Sequence, residues 1–299
     1  MPLVECVPNF SEGKRQEIVD QIVETMEKAG KIILLDSRMD GDHNRAVISF
    51  VGEPDECVKA AFAGCQKAAQ LIDMDQHKGE HNRFGATDVI PFIPLSGITM
   101  EECATLARDL AKKIGEELYI PTYCYGDAAL KPEREVLQKF RTKSFQYEQL
   151  KDAIRTNPDY EPDFGPKELG KAGATNVGVR QILIAYNIDL DTTDITVAAN
   201  IARSIRFSGG GMRYIQAGPV EMKERNCVQV SMNITDYKGS PIHRVFEIVK
   251  SEAARYGVGI KGTEVYGMVP VDALLDAAEH YLQLNTFDRK QIIEKRIYE

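Results

Sequence analysis

The chain has 299 residues, 43% of them hydrophobic and 27% charged, with no tryptophan and a formal net charge of −8. That length accommodates two domains of ordinary size, each with its own core, and the composition is that of a soluble globular protein. The acidic balance argues against a nucleic-acid partner, whose grip would rest on many phosphate contacts, so an anionic substrate has to be held by a local cluster of Arg and Lys.

The N-terminus, "MPLVECVPNFSEG", has neither the basic flank nor the apolar stretch of a secretory signal. No apolar run is long enough to cross a bilayer, and a cytoplasmic protein without a membrane partner is expected. The chain opens with a strand over 3–7, followed by a helix with Ile18, Val19, Ile22, Val23 and Met26 on one face. "KIILLD" and "RAVISFVG" read as strands separated by the polar turn "SRMDGDHN". A helix from Pro54, a strand in "ATDVIPFIPL", a helix capped by Thr99 with Glu102, and the strand "TYCYG" complete the first half.

From Gln181 the same order returns. "QILIAYNI" is a strand, Asp194 caps a helix, and "RYIQAGPV" with "CVQVSMNIT" predicts a hairpin. In the second of these Val228, Val230, Met232 and Ile234 alternate with Gln229, Ser231, Asn233 and Thr235, so one sheet face is expected to be buried and the other polar. Ser240-Pro241 opens a helix that Gly257 can end; a last strand and helix follow. Each half reads β-α-β-β-α-β-α. The fold class expected is therefore α/β (α+β), with two ferredoxin-like subdomains at 1–178 and 179–299 and a ligand cleft between them. Cys6, Cys57, Cys65, Cys103, Cys124 and Cys227 form no C-x-x-C pair and read as small core hydrophobes.

The stretch 127–178 is polar, with Pro132, Pro158, Pro162 and Pro166, then glycine-rich in "DFGPKELGKAGATNVGVR". It reads either as a linker or as a segment whose glycines let backbone approach a ligand closely. "FSGGGM", flanked by Arg206 and Arg213, reads equally as an anion-binding nest or an ordinary loop.

"HKGEHNRFGATDVIPF" places His77, Glu80 and His81 as H-x-x-E-H, the spelling of an inverted zinc-protease motif. That chemistry needs both histidines on one face of a continuous helix and a third ligand. Gly79 inside the string, Asn82 and Gly85 just after it, and a strand within ten residues make poor helix material, so no metal is expected. With Lys78, Glu80 and Arg83 nearby, and histidine suited to proton transfer near neutrality, an active-site loop is the favoured alternative.

"LVECVPNFSEG", the "HNR" of His43, Asn44 and Arg45, "LIDMDQHKGEHNRFGATDVIPFIPL" and "PDFGP" closely resemble the glutamate formimidoyltransferase family, in order and over essentially the whole chain. The resemblance implies two ferredoxin-like subdomains with folate at their junction, a homodimer, and transfer of a formimidoyl group from N-formimidoyl-L-glutamate to tetrahydrofolate in histidine breakdown. It places catalysis on His81, the histidine after Gly-Glu. It also places folate contacts on Gly165, Pro166, Lys167, Glu168, Leu169, Gly170, Lys171, Ala172 and Gly173. Asn82 stands where that family usually has proline. Arg45, Arg83, Lys167 and Arg180, close to these motifs, are candidates for holding substrate carboxylates, with Asn44 beside them. The transferred amidine is cationic, and Glu80, Asp36, Asp40 and Asp42 are the carboxylates available to it. Two other readings remain at this stage: formyl transfer between 5-formyltetrahydrofolate and glutamate on the same scaffold, and a non-catalytic folate-binding protein.

Overall fold

The computed structural model describes residues 1–298. In chain order its first part holds β1 (Leu3–Cys6), β2 (Asn9–Phe10), α1 (Gln16–Ala29), β3 (Ile32–Asp40), β4 (Arg45–Gly52), α2 (Pro54–Leu71), β5 (Thr87–Ser96), α3 (Met100–Glu117) and β6 (Thr122–Gly126). The short helices α4 (Leu137–Phe140) and α5 (Tyr147–Thr156) and strand β7 (Thr175–Val179) follow. β1 and β2 are two pieces of one strand broken at Val7-Pro8, and both pair antiparallel with β4 on one side and β5 on the other. β3 pairs with β4, and β7 lies parallel between β5 and β6. The expected apolar stripe of α1 packs into the core through Ile18, Val19, Ile22 and Met26. The capping box of Thr99 and Glu102 is present in both directions at the start of α3. All six cysteines are free and buried.

Two expectations for this region change. β3 runs through Ser37, Arg38 and Met39 to Asp40, so the turn before β4 is only four residues long, 41–44. The stretch 127–178 is built into the first unit. α5 buries Tyr147, Leu150 and Ile154, and Phe145 stacks on Tyr160 at 4.0 Å between ring centroids. Arg134, only 1% exposed, lies over the rings of Tyr123 and Phe140 and pairs with the buried Asp163 at 2.6 Å. A charge this deep is tolerated because it is paired and its guanidinium also donates to the carbonyls of Asp159 and Glu161. The first compact unit spans Met1–Arg180, with β7 as its last strand.

The second unit, from Gln181, holds β8 (Ile184–Leu190), α6 (Ile195–Ile205), β9 (Ile215–Met222), β10 (Cys227–Ile234), α7 (Ile242–Arg255), β11 (Ile260–Tyr266), α8 (Val271–Leu282) and α9 (Ile293–Tyr298). Its sheet runs β11-β8-β10-β9, antiparallel throughout, with β9 and β10 as the expected hairpin. The alternation along β10 holds for Val228, Val230, Met232 and Ile234, which join the core. Gln229, expected on an open polar face, is buried and donates to both Asp189 and Glu264. The chain is thus a mixed α/β protein with two sheets. Among the described residues no helix is long and apolar enough to cross a membrane.

Candidate active site

The H-x-x-E-H string lies in an irregular loop between α2 and β5, with no helix through it. Gly79 is pressed onto the turn between β3 and β4: a Cβ there would sit 2.3 Å from the carbonyl oxygen of His43. His77 and His81 therefore do not share a helix face, and they meet different surroundings.

His77 belongs to a saturated network. Its Nε2 donates to the carbonyl of Asn44 at 2.9 Å, and its Nδ1 accepts from Arg83 Nε at 3.2 Å. Burial, first, holds this imidazole below its ordinary titration range. Arg83, 5% exposed, uses all five of its N–H groups: on His77 Nδ1, the His77 carbonyl, Gln146, and both oxygens of Glu148. Asn44, in the left-handed region at φ 48°, accepts from the Gly13 amide and donates to the Lys78 carbonyl. The side chains of Arg83 and Asn44 thus hold the loop in place.

His81 is placed differently. Arg45 Nη1 contacts its Nε2 at 2.5 Å, and a guanidinium can only donate, so Nε2 is the acceptor and the ring hydrogen sits on Nδ1. Nδ1 faces Oδ2 of Asp88 at 3.9 Å. Asp88, 1% exposed in β5, accepts the Phe84 amide on Oδ1 and pairs with Arg141 through Oδ2. Burial, then Arg45 and Arg141, push the His81 imidazole down to about 2. It is a neutral imidazole hemmed by guanidiniums.

The segment 165–173 runs against this loop. The Ala86 amide donates to the Ala172 carbonyl, the Ala174 amide to the Phe84 carbonyl, and the Met74 amide to the Lys171 carbonyl, so both ends of the loop are stitched to it. Its glycines serve close packing more than ligand approach. Gly173 has φ +71°, and a Cβ there would lie 2.2 Å from the Phe84 carbonyl oxygen; Gly165, at φ +87°, is pressed onto Ile120 and Gly115. Only Gly170 opens onto free space. Lys167, Glu168 and Lys171 are exposed and paired with Glu161, Arg155 and Asp73, Leu169 is buried, and Pro166 and Ala172 are half-buried.

Models of a formiminotransferase domain match the chain twice: its N-terminal subdomain over residues 3–180, and the formiminotransferase domain over residues 185–297. The chain belongs to the formiminotransferase family. It is 50% identical to a glutamate formimidoyltransferase of Thermoplasma acidophilum and 43% identical to one of Streptococcus pyogenes, each over 99% of this chain and 98% of the relative. It is also 41% identical to the formimidoyltransferase-cyclodeaminase of Mus musculus, over 93% of this chain and 52% of that protein.

In this formiminotransferase chain the structure gathers Arg45 and His81 with two residues that motif reading missed, Asp88 and Arg141. Asp88 left a signal: a carboxylate inside the apolar run "ATDVIPFIPL" is a buried charge that needs a partner. Arg141 left none, because it follows a single turn of helix in a segment that reads as polar. Of the four carboxylates named for the amidine, two have partners of their own: Asp40 holds His43 and Asp36 pairs with Arg38. In "FSGGGM" the amides of Gly209, Gly210, Gly211 and Met212 all donate to backbone carbonyls at the end of α6, which makes it a helix-ending turn.

Proposed function

We propose that this chain is a glutamate formimidoyltransferase, moving the formimidoyl group of N-formimidoyl-L-glutamate to tetrahydrofolate and releasing L-glutamate. The observation that carries this reading is its 50% identity, across 99% of its length, to the Thermoplasma acidophilum protein of that name. In the reaction a secondary amine of the pterin attacks the amidine carbon and gives its proton to His81. The bond from that carbon to the glutamate nitrogen then breaks, and His81 returns the proton to this leaving amine. A neutral imidazole is the form that starts the cycle. Asp88, beside Nδ1, is placed to stabilise the imidazolium that forms and to lend negative charge near the cationic amidine.

Arg45 is the residue of the "HNR" triplet that we assign to a substrate carboxylate. Gly165–Gly173 is assigned to folate, with open space at Gly170 and exposed cations at Lys167 and Lys171 to support it. Two ferredoxin-like subdomains are inferred from the strand orders, in which the first strand of each unit lies between that unit's third and fourth. A place in histidine breakdown, a homodimeric state in the cytoplasm and a metal-free reaction complete the reading. Steady-state kinetics test it, with tetrahydrofolate as acceptor and N-formimidoyl- or N-formyl-L-glutamate as donor. Preferred turnover of the formimidoyl donor, surviving chelation, is expected; turnover of the formyl donor alone would reassign the reaction.

A further inference from the structure

The lone pair that His81 needs in order to act as a base is on Nε2, and Arg45 Nη1 sits on it at 2.5 Å. The ring's other nitrogen carries the hydrogen, so the side chain as it stands has no lone pair to offer a substrate. We propose that Arg45 is a removable cap on His81, drawn off by a carboxylate of the bound glutamate moiety, so that the base is uncovered only when the amino-acid substrate arrives. The inference rests on the formimidoyl-transfer reading for the identity of that carboxylate, and on the Arg45–His81 contact for the cap itself.

Three features favour the exchange. A carboxylate accepts two parallel hydrogen bonds from a guanidinium and brings an opposite charge, whereas an imidazole nitrogen accepts one and brings none. Arg45 stands at the first residue of β4, where pairing with Asp40 of β3 fixes its backbone, so an exchange of partners would involve its side chain and not the strand. The guanidiniums around His81 also favour an incoming anion. Arg45 faces it from β4, Arg141 from beyond α4, His43 from the turn between β3 and β4, and His77 from its own loop. Asp88 of β5 is the carboxylate on the other side, and it is already paired with Arg141. Arg141 has a buried Nε without an acceptor among the described residues, so its pairing with Asp88 leaves this cation incompletely bonded. The low titration point of the ligand-free imidazole, which follows from burial and then from these guanidiniums, is the state of a base held off. A carboxylate that takes Arg45 removes one of those cations from contact and adds a negative charge.

The test uses the whole chain labelled at histidine with nitrogen-15, reading the tautomer and titration midpoint of His81, with glutarate as an unreactive dicarboxylate. In the ligand-free wild type His81 should stay neutral, protonated on Nδ1, down to the lowest pH at which the protein is folded. Saturating glutarate should raise its midpoint by about one pH unit or more, and Arg45→Met should raise it without glutarate and leave little further response. A His81 that titrates near its ordinary value in the ligand-free wild type overturns the cap. An unmoved midpoint with glutarate overturns the carboxylate trigger, a measurement that stands even if Arg45→Met does not fold. Turnover of N-formimidoyl-L-glutamate, measured separately, divides the two ideas: turnover with an uncapped His81 removes only this inference, and no turnover with the cap intact removes the proposed function.

Discussion

The two ends of one loop differ in a way that separates support from chemistry. At His77 every polar group is answered: both imidazole nitrogens, all five N–H groups of Arg83 and both ends of the Asn44 amide have partners. Four residues on, His81 has its basic nitrogen pressed against a cation and its carboxylate at 3.9 Å, shared with a second cation. A fully bonded buried network fixes a conformation, and an unbalanced one stores a charge problem that a ligand of the right sign relieves. The same spelling, histidine in a glycine-rich loop, serves both purposes.

The comparison breaks first at His81. His81→Ala should lower kcat by about a hundred- to ten-thousand-fold, the usual worth of a positioned acid and base. The melting temperature near neutral pH should stay close to the wild type. Near wild-type turnover in this variant, with loss in His77→Ala instead, would move the catalytic role to the other histidine. The second-largest effect belongs to the supporting end. Arg83→Met removes a guanidinium that is 5% exposed and leaves His77 and the partly exposed Glu148 without their donor, which should cost about 2–4 kcal/mol of stability by urea unfolding. If stability is unchanged, Arg83 belongs to substrate binding and not to support.

The glycines of 165–173 sharpen the same distinction. Gly173→Ala forces a Cβ into left-handed backbone and against the Phe84 carbonyl, and should lose about 1–3 kcal/mol. Gly170→Val should stay within about 0.5 kcal/mol of the wild type, because its position is open, yet weaken tetrahydrofolate binding measured by calorimetry. Unaltered folate affinity in Gly170→Val would leave that stretch a purely structural strap.

The last effect is electrostatic. Burial, then Arg45 and Arg141, lower the His81 titration point from 6.5 to about 2 in the folded protein. Between those values the unfolded chain binds a proton that the folded chain refuses. This contribution to stability is complete above the unfolded value and is lost as pH falls below it. Relative to His81→Ala, the wild type should therefore lose about 1–2 kcal/mol between pH 6.5 and pH 5. Parallel stability profiles for the two proteins would mean that His81 titrates normally when folded.

The sequence by itself determined the motif and most of the elements outside 127–178, where α4, α5 and β7 went unread. Amphipathic periods long enough to repeat marked α1 and α2, the Thr99–Glu102 box marked α3, and strict alternation marked β10, because these signals are local and depend only on neighbours three, four or two residues away. The ordered strings around "HNR" and "GEHNR" led to the family, and the glycine inside H-x-x-E-H already argued against a metal-binding helix. Only the tertiary structure decided what each polar residue does. Arg83 and Arg45 look alike in sequence, yet one is saturated by Glu148, 65 positions away, and the other reaches His81, 36 positions away. Arg141 joins Asp88 across 53 positions, from a stretch too short and too polar to announce a fold. Gly173 and Gly170 are the same residue three positions apart, and only the approach of the Phe84 backbone separates the one that packs from the one that is open. Hydrogen bonds between distant residues depend on the path of the whole chain, which no local period records.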